Sequence, residues 1–236
     1  ILKNKKNFKI GFDPKLHTDK QLNFLFNFKN IILKPLNNNL VDMVWYKKPK
    51  DIIKPFFSLS KKHSGQSSEK KIKKIKKILV NNKANYLLVT APENVAWILN
   101  IRGYDSEFSP IPNARLLIDR NGNINFFAKS KKIKKIKKFL SKKINFYDEV
   151  EIEKELSKLS KKNIWLDILS CSIRYKYLLR KKNKLIEKTD PIYFLKSIKN
   201  STEIKNMKKS HIIDGAALTK FLFWLKKNFK RKKITE

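Results

Sequence analysis

The residues best suited to chemistry in this sequence lie in the segment NIRGYD, at Asn100, Arg102, Tyr104 and Asp105. An arginine guanidinium can hold a carbonyl or carboxylate oxygen through directed, charge-assisted hydrogen bonds. Arg102, with Tyr104 and Asp105 beside it, is therefore our candidate for such a contact in this loop. The alternative is that Arg102 and Asp105 pair with each other and only fix the loop, and the sequence leaves both interpretations open.

Other reactive side chains are sparse and isolated. His17, His63 and His211 are far apart in the sequence, and none has the spacing of a helical metal motif. The single Cys171 excludes an internal disulfide. No His or Asp follows it closely, so we expect a buried or inert thiol. His211 and Asp214 could share one helix face, but they do not form a recognisable metal site.

The net charge of +36 invites a nucleic-acid interpretation, because clustered basic residues neutralise phosphates. Only six of the 56 basic residues are arginine, and the lysines are spread over the whole chain together with many Asn and Ile residues. That composition is what A+T-rich codons specify, and it suits solvated helix faces better than one binding stripe. We expect no specific nucleic-acid partner, although a basic nucleic-acid-binding protein remains an alternative.

The elements around the candidate loop follow from local signals. YLLVT (86–90) has the composition of a strand, and Pro92 is suited to the first turn of a helix that Gly103 would end as its cap. Asn121-Gly122 predicts a hairpin between two strands after the loop. Trp97 and Trp224, among apolar helix positions, are expected in the core, whereas Trp45 is expected to pack between domains.

Two lysine-rich segments are nearly identical, KKIKKIKKIL at 70–79 and KKIKKIKKFL at 131–140. Isoleucines at helical spacing predict an amphipathic helix in both, the first capped by Ser67 or Ser68. Further helix–strand pairs up to KLIE give an α/β unit with a mixed sheet. After Asp190-Pro191 a short helix and a long one, capped by Ser201, are predicted. We interpret the likeness of the two segments as a repeated helix–strand pattern with lysine bias, without evidence of duplication.

Several segments, in order along nearly the whole chain, resemble the large three-domain Xaa-Pro aminopeptidases (aminopeptidase P) of the creatinase/prolidase "pita-bread" family. They are IGFDPKLHT, NLVDMVW, SGQSSEKKIKKIKKIL, VTAPENVAWILNIRGYDSEFSPIPNARLLI and DPIYFLKSIKNSTEIKNMKKSHIIDGAALTKFLFWL. The most diagnostic part is AWxxNxRGxD followed by a loop that contains prolines. The resemblance implies that this loop approaches the active site of the catalytic domain, so Arg102, Tyr104 and Asp105 are our candidates for a substrate-binding loop.

This resemblance implies the architecture. Residues 1–57 would be the C-terminal part of a first creatinase N-terminal-like domain with its linker. Residues 58–190 would be a complete second such domain, with a mixed sheet flanked by helices. Residues 191–236 would open a pita-bread catalytic domain. The sequence begins with Ile1 and shows no signal peptide, so we expect an interior piece of a longer chain.

The resemblance also implies the function. The family releases the N-terminal residue from peptides whose second residue is proline, using two divalent metal ions, usually manganese, that activate a water. Their ligands would lie beyond Glu236, so we expect no catalytic residue, no metal ligand and no activity in this fragment alone. A cytoplasmic homodimer formed through the catalytic domain is expected, with no membrane partner. The alternatives are a non-enzymatic pita-bread-like binding protein and the nucleic-acid-binding protein named above.

Overall fold

The computed structural model describes residues 8–49, 53–231 and 234, and its centre is a six-stranded sheet. The strands lie side by side in the order β10, β9, β4, β6, β7 and β8. Their bounds are β4 Tyr86–Val89, β6 Arg115–Asp119, β7 Ile124–Phe127, β8 Ile144–Tyr147, β9 Asn163–Leu166 and β10 Lys184–Glu187. β4 pairs in parallel with β9 and antiparallel with β6, so the predicted mixed α/β sheet is confirmed.

Helices cover both faces of this sheet. They are α4 Ser68–Asn81, α5 Pro92–Leu99, α6 Ser130–Ile133, α7 Ile152–Ser157 and α8 Ile173–Arg180, together with short 3-10 turns at Lys137–Phe139 and Glu149–Glu151. Because successive strand residues point to opposite faces, Leu87 and Val89 join the core beside α4 and α5. Leu88 joins a second core beside α7 and α8.

The first lysine-rich segment forms the predicted helix. The Ser67 hydroxyl caps α4, and Glu69 lies in the first turn, where a negative charge favours the helix dipole. Ile72, Ile75 and Leu79 are buried in the core, as their spacing predicts.

The prediction of one long helix over residues 131–140 is wrong. The segment forms the single turn of α6 and, after an irregular stretch, the 3-10 turn Lys137–Phe139. The Lys132 carbonyl, which would accept from the Ile136 amide in an α-helix, instead accepts from the Phe56 amide at 2.9 Å. The Ile136 amide donates to Ile133 at 3.0 Å, which tightens the turn. A contact from a distant part of the chain thus interrupts the helix.

The described residues before the predicted linker form a small parallel pair of strands, β1 Phe8–Phe12 and β2 Ile31–Pro35, with helices α1 Asp19–Phe26 and α2 Leu40–Val44. Phe12 and Leu22 pack against Ile173 at the start of α8. Trp45 is 48% exposed, so the expectation that it packs between domains is not met within the described residues. Residues 50–52 of the predicted linker lie outside the described residues.

Two helices follow the sheet, α9 Pro191–Ser197 and α10 Ser201–Asn228. The cap of α10 is Asn200, one residue before the predicted Ser201, and Asn200 shares a capping box with Glu203. An amide side chain caps as well as a hydroxyl, and here it also donates to the carbonyl of Ser64 at 2.9 Å. Ser64 ends helix α3 Lys61–Ser64, so α3 holds the first turn of α10.

The expected core position of Trp224 is wrong for the described residues, because 43% of its surface is exposed. It lies on the apolar face of α10 with Phe221 and Leu222, which are similarly exposed. Across the described parts of the chain, none of the helices has the length and apolar content needed to cross a membrane.

Candidate functional site

The candidate loop begins where α5 ends. Asn100 takes the left-handed conformation, with φ 52°, and its amide closes the last turn of the helix. The predicted cap Gly103 is therefore wrong by three residues: asparagine tolerates this conformation, so the helix stops earlier. Gly103 has another function, because a Cβ there would lie 2.8 Å from the Cα of Pro112. It allows the two ends of the loop to approach each other.

Arg102 is fixed by backbone contacts on both sides. Ile101 and Arg102 form the short strand β5, which pairs antiparallel with β3 Phe57–Ser58. The guanidinium donates to the carbonyl of Ala96 at 3.2 Å and to that of Ile101 at 2.9 Å. Burial lowers the pKa of Arg102, and the nearby Glu203 carboxylate opposes this shift. An arginine so placed stays charged at neutral pH, since its ordinary pKa is far above 7.

Asp105 binds on the other side of the loop. Its carboxylate forms a nearly buried ion pair with Lys132 and accepts from the Asn113 amide at 2.6 Å. The sequence left open a pair between Arg102 and Asp105, but each has other partners. Lys132, from the single turn of α6, pairs with Asp105, whereas Arg102 donates to backbone carbonyls.

The three candidate residues consequently face two different grooves. Arg102 lines a groove of about 550 Å³ between α5, the last turn of α9 and the first turns of α10, together with Trp97 and Glu203. Tyr104 and Asp105 line a second groove of about 660 Å³. Lys54, Glu107, Lys129 and Glu149 also line this second groove.

The Tyr104 ring packs on Phe57, with the ring centroids 5.3 Å apart, and 55% of the residue is exposed. The Lys54 ammonium lies 5.5 Å from the same ring centroid. The second groove thus offers an aromatic face beside cationic and anionic groups. Such a surface can hold a polar ligand that carries an apolar or cationic part.

Sequence reasoning missed Lys71, which is 1% exposed beneath the loop. Its ammonium donates to the Trp97 carbonyl at 2.8 Å and to the Asn100 side-chain oxygen at 2.7 Å, and it lies 4.2 Å from the centroid of the Trp97 ring. Burial lowers its pKa to about 8. In the sequence, the only signal for the burial of Lys71 was its position next to Ile72, at the edge of the helix face that enters the core.

Trp97 packs against the core at partial burial, in line with its predicted core position. Its indole nitrogen is buried and makes no hydrogen bond.

A buried polar network at the carboxyl ends of β4 and β9 was also missed. Asp167 accepts from Ser170 at 2.6 Å and from the Asp190 amide at 3.0 Å. Asp190 caps α9 and accepts from the Asn94 side chain at 2.8 Å. Burial raises the pKa of Asp190 to about 6. The network joins the sheet to α9, and every member has partners within the chain.

The described residues do not suit a metal ion. Among residues 8–49, 53–231 and 234, no three His, Cys, Asp or Glu side chains come together in a way that could hold one. His211 and Asp214 both lie on the exposed surface of α10. Cys171 is buried, as expected, and burial raises its pKa to about 12, which disfavours the reactive thiolate.

Comparison with known proteins identifies the fold. The family model described as the creatinase/prolidase N-terminal domain matches residues 47–203. The chain belongs to this family. The match includes the whole six-stranded sheet and the candidate loop, so both are features of a creatinase/prolidase N-terminal domain.

Individual relatives extend the likeness beyond that domain. The chain is 31% identical to Xaa-Pro aminopeptidase 1 of Dictyostelium discoideum, over 97% of this chain and 38% of the relative. It is 30% identical to a probable Xaa-Pro aminopeptidase P of Neurospora crassa, over 95% of this chain and 35% of the relative. The chain therefore spans little more than a third of the length of these relatives.

A solved structure has the same fold. The X-prolyl aminopeptidase of Caenorhabditis elegans, described as a cytosolic enzyme with a dinuclear active site, matches 97% of this chain and 39% of its own with a TM-score of 0.82. At 24% identity this likeness supports the fold, and it extends to the elements before and after the central unit.

Proposed function

We propose that this chain is the non-catalytic part of a metal-dependent aminopeptidase that releases the N-terminal residue from peptides with proline in second position. The observation that carries the proposal is the 31% identity over 97% of the chain with a protein named Xaa-Pro aminopeptidase 1. In the proposal, residues 1–57 end a first domain, 58–190 form the second, and 191–236 open the catalytic domain.

The metal ions of this proposal are two divalent ions, with manganese as our expectation. The described residues lack a suitable cluster of ligands, so the ions would be held by the remainder of the parent enzyme. No step of the reaction is assigned to this chain, and the 236 residues alone should be inactive. We also propose that the parent enzyme is cytoplasmic and forms a homodimer through its catalytic domain.

The contribution of this chain would be to bind and enclose the peptide. The Arg102 guanidinium is held by two carbonyls through one of its nitrogens, and it lines an open groove beside α10. In this role it would donate hydrogen bonds to a carbonyl or carboxylate oxygen of the substrate. Tyr104 and Asp105 would shape the opposite side of the loop.

The test uses the intact protein that contains this chain. It is supplied with Mn²⁺ and given either an Xaa-Pro-Xaa tripeptide or the same peptide with alanine in second position. We expect release of the first residue from the proline peptide only, and loss of release with a chelator. Lack of cleavage of both peptides with any divalent ion would leave the non-enzymatic binding protein as the better explanation.

Arg102→Ala in the same protein tests the loop. Loss of one charge-assisted hydrogen bond predicts a fall in kcat/KM of about 10–100-fold. Arg120→Ala is the matched control, because Arg120 is an exposed arginine in the hairpin turn. Equal kcat/KM in the two variants, with both folded, would contradict a substrate role for Arg102.

A further inference from the structure

Two lysines differ from all others in the described parts of the chain, because only Lys71 and Lys132 are buried, at 1% and 6% exposure. Each is the second residue of one of the two near-identical lysine-rich segments. The surrounding lysines, such as Lys70 and Lys131, are exposed. Since a buried ammonium is costly unless it is paired, two such sites at matching positions need a physical explanation.

Both ammonium groups contact the same loop from opposite ends. Lys71 donates to the Trp97 carbonyl and to Asn100, the left-handed residue from which the loop departs. Lys132 pairs with Asp105, which in turn accepts from the amide of Asn113 at the far end of the loop.

The backbone links the same two points. The Phe56 amide donates to the Lys132 carbonyl at 2.9 Å, and the Leu59 amide donates to the Asn100 carbonyl at 2.7 Å. Between them, β3 pairs with β5, which contains Arg102. Residues 56–59 therefore form a strap across the loop, and its ends lie beside the two lysine contacts.

We propose that Lys71 and Lys132 are positioning residues that clamp residues 100–105 at both ends and thereby direct Arg102 and Tyr104 into their separate grooves. The proposal rests on the proposed function for its enzymatic consequence, but the clamp itself is a property of this chain. Each lysine acts through the loop that it holds.

The first test is amide hydrogen exchange in the intact protein, with Lys71→Met and Lys132→Met compared with Lys70→Met and Lys131→Met. Methionine keeps the apolar length of lysine and removes the charge. Loss of one hydrogen bond to a charged group predicts exchange about tenfold faster or more at residues 101–105, in excess of any increase in β4 and β6, which exchange by global unfolding. The control variants should exchange like the wild type.

Two further variants keep the test decisive if a methionine variant does not fold. Asn100→Gly removes the acceptor for Lys71 and retains a residue that adopts positive φ freely. Asp105→Asn removes the charge that Lys132 pairs with and nearly preserves the shape. An increase in exchange that is larger in the loop than in β4 and β6 supports the clamp; wild-type exchange in the loop of a folded variant overturns it.

The enzymatic readout separates positioning from stability. With a proline peptide, a positioning role predicts that Lys71→Met raises KM or lowers kcat several-fold, while the fully folded Lys70→Met enzyme keeps both values. If the loop loosens and both constants are unchanged, the clamp exists but does not serve substrate. If the wild type cleaves no peptide, the proposed function fails, and hydrogen exchange still decides the clamp.

Discussion

The two lysine-rich segments have nearly the same sequence but fold into different local structures. Residues 70–79 lie within the continuous helix α4, whereas residues 131–140 form one helical turn and a 3-10 turn. Yet their first six residues have the same burial pattern, with Lys71, Ile72 and Ile75 matched by Lys132, Ile133 and Ile136. They differ afterwards: Ile78 is half-buried and Leu79 is fully buried, whereas their counterparts Phe139 and Leu140 are 62% exposed and half-buried.

The difference comes from the ends and the neighbours of each segment. The first segment (70–79, here called the first copy) lies in a helix with a serine cap and an acidic residue in its first turn, and this helix continues to Asn81. The second has no side-chain cap and no acidic residue in its first turn, and its Lys132 carbonyl bonds to Phe56. Spacing of apolar residues thus decides which side chains are buried, and capping and tertiary contacts decide how far the helix continues.

The largest effect is expected at the buried ion pair of the second copy. Lys132→Met leaves the Asp105 carboxylate without its partner, and we expect the free energy of unfolding to fall by about 3–5 kcal/mol. Urea unfolding measures the loss. Lys131→Met should stay within about 0.5 kcal/mol of the wild type. A loss at Lys132 no larger than at Lys131 would show that the pair contributes nothing to stability.

Ile75 and Ile136, at matching positions of the two segments, test whether equal burial means an equal contribution to the free energy of unfolding. Ile75→Ala and Ile136→Ala each create a cavity in the same core, and we expect a loss of about 3–4 kcal/mol for each. Phe139→Ala, at an exposed site, is the control and should cost far less. The comparison fails if Ile136→Ala destabilises the protein no more than Phe139→Ala, because the second copy would then not be anchored in the core.

Lys71 predicts a pH dependence of the free energy of unfolding. Its folded pKa of about 8 lies below the ordinary value of 10.5, so between these values the unfolded state binds more protons and stability rises with pH. The rise attributable to Lys71 is up to about 3 kcal/mol, at 1.36 kcal/mol per pKa unit. Urea unfolding of the wild type and of Lys71→Met from pH 7 to 10.5 measures this rise, as the change with pH in the difference between their free energies of unfolding. Parallel curves for the two proteins would contradict the depressed pKa.

The smallest effect on stability is expected at Ser67, the N-terminal cap of α4. Ser67→Ala removes the hydroxyl that accepts from the Lys70 amide at 3.5 Å, and we expect a loss of about 0.5–1 kcal/mol. Ser68→Ala, one residue inside the helix, serves as the control in the same thermal unfolding experiment. No difference between the two variants would mean that packing alone holds the start of α4.

Much of the fold was readable from local signals. The Asn121-Gly122 hairpin formed as predicted, with Gly122 at φ 88°, because few other residues adopt such a conformation. The alternating helix–strand order gave the mixed sheet, and the segment likeness gave the family. The sequence identified the segment that forms the candidate loop, but it did not identify the contacts of the loop. Arg102 and Asp105 bind different partners, which the sequence did not predict.

The sequence by itself determined which residues are apolar at helical or strand spacing, where helices can begin, and which loop carries reactive groups. These properties depend on residues within a few positions of each other. Only the tertiary structure decided that Asn100 ends α5, that α6 stops after one turn, and that two of the lysines in the described residues are buried against one loop. Asn100 tolerates the left-handed conformation and is also held by the distant Lys71 ammonium. The other two features depend on hydrogen bonds and an ion pair between residues far apart in the chain, which no local pattern encodes.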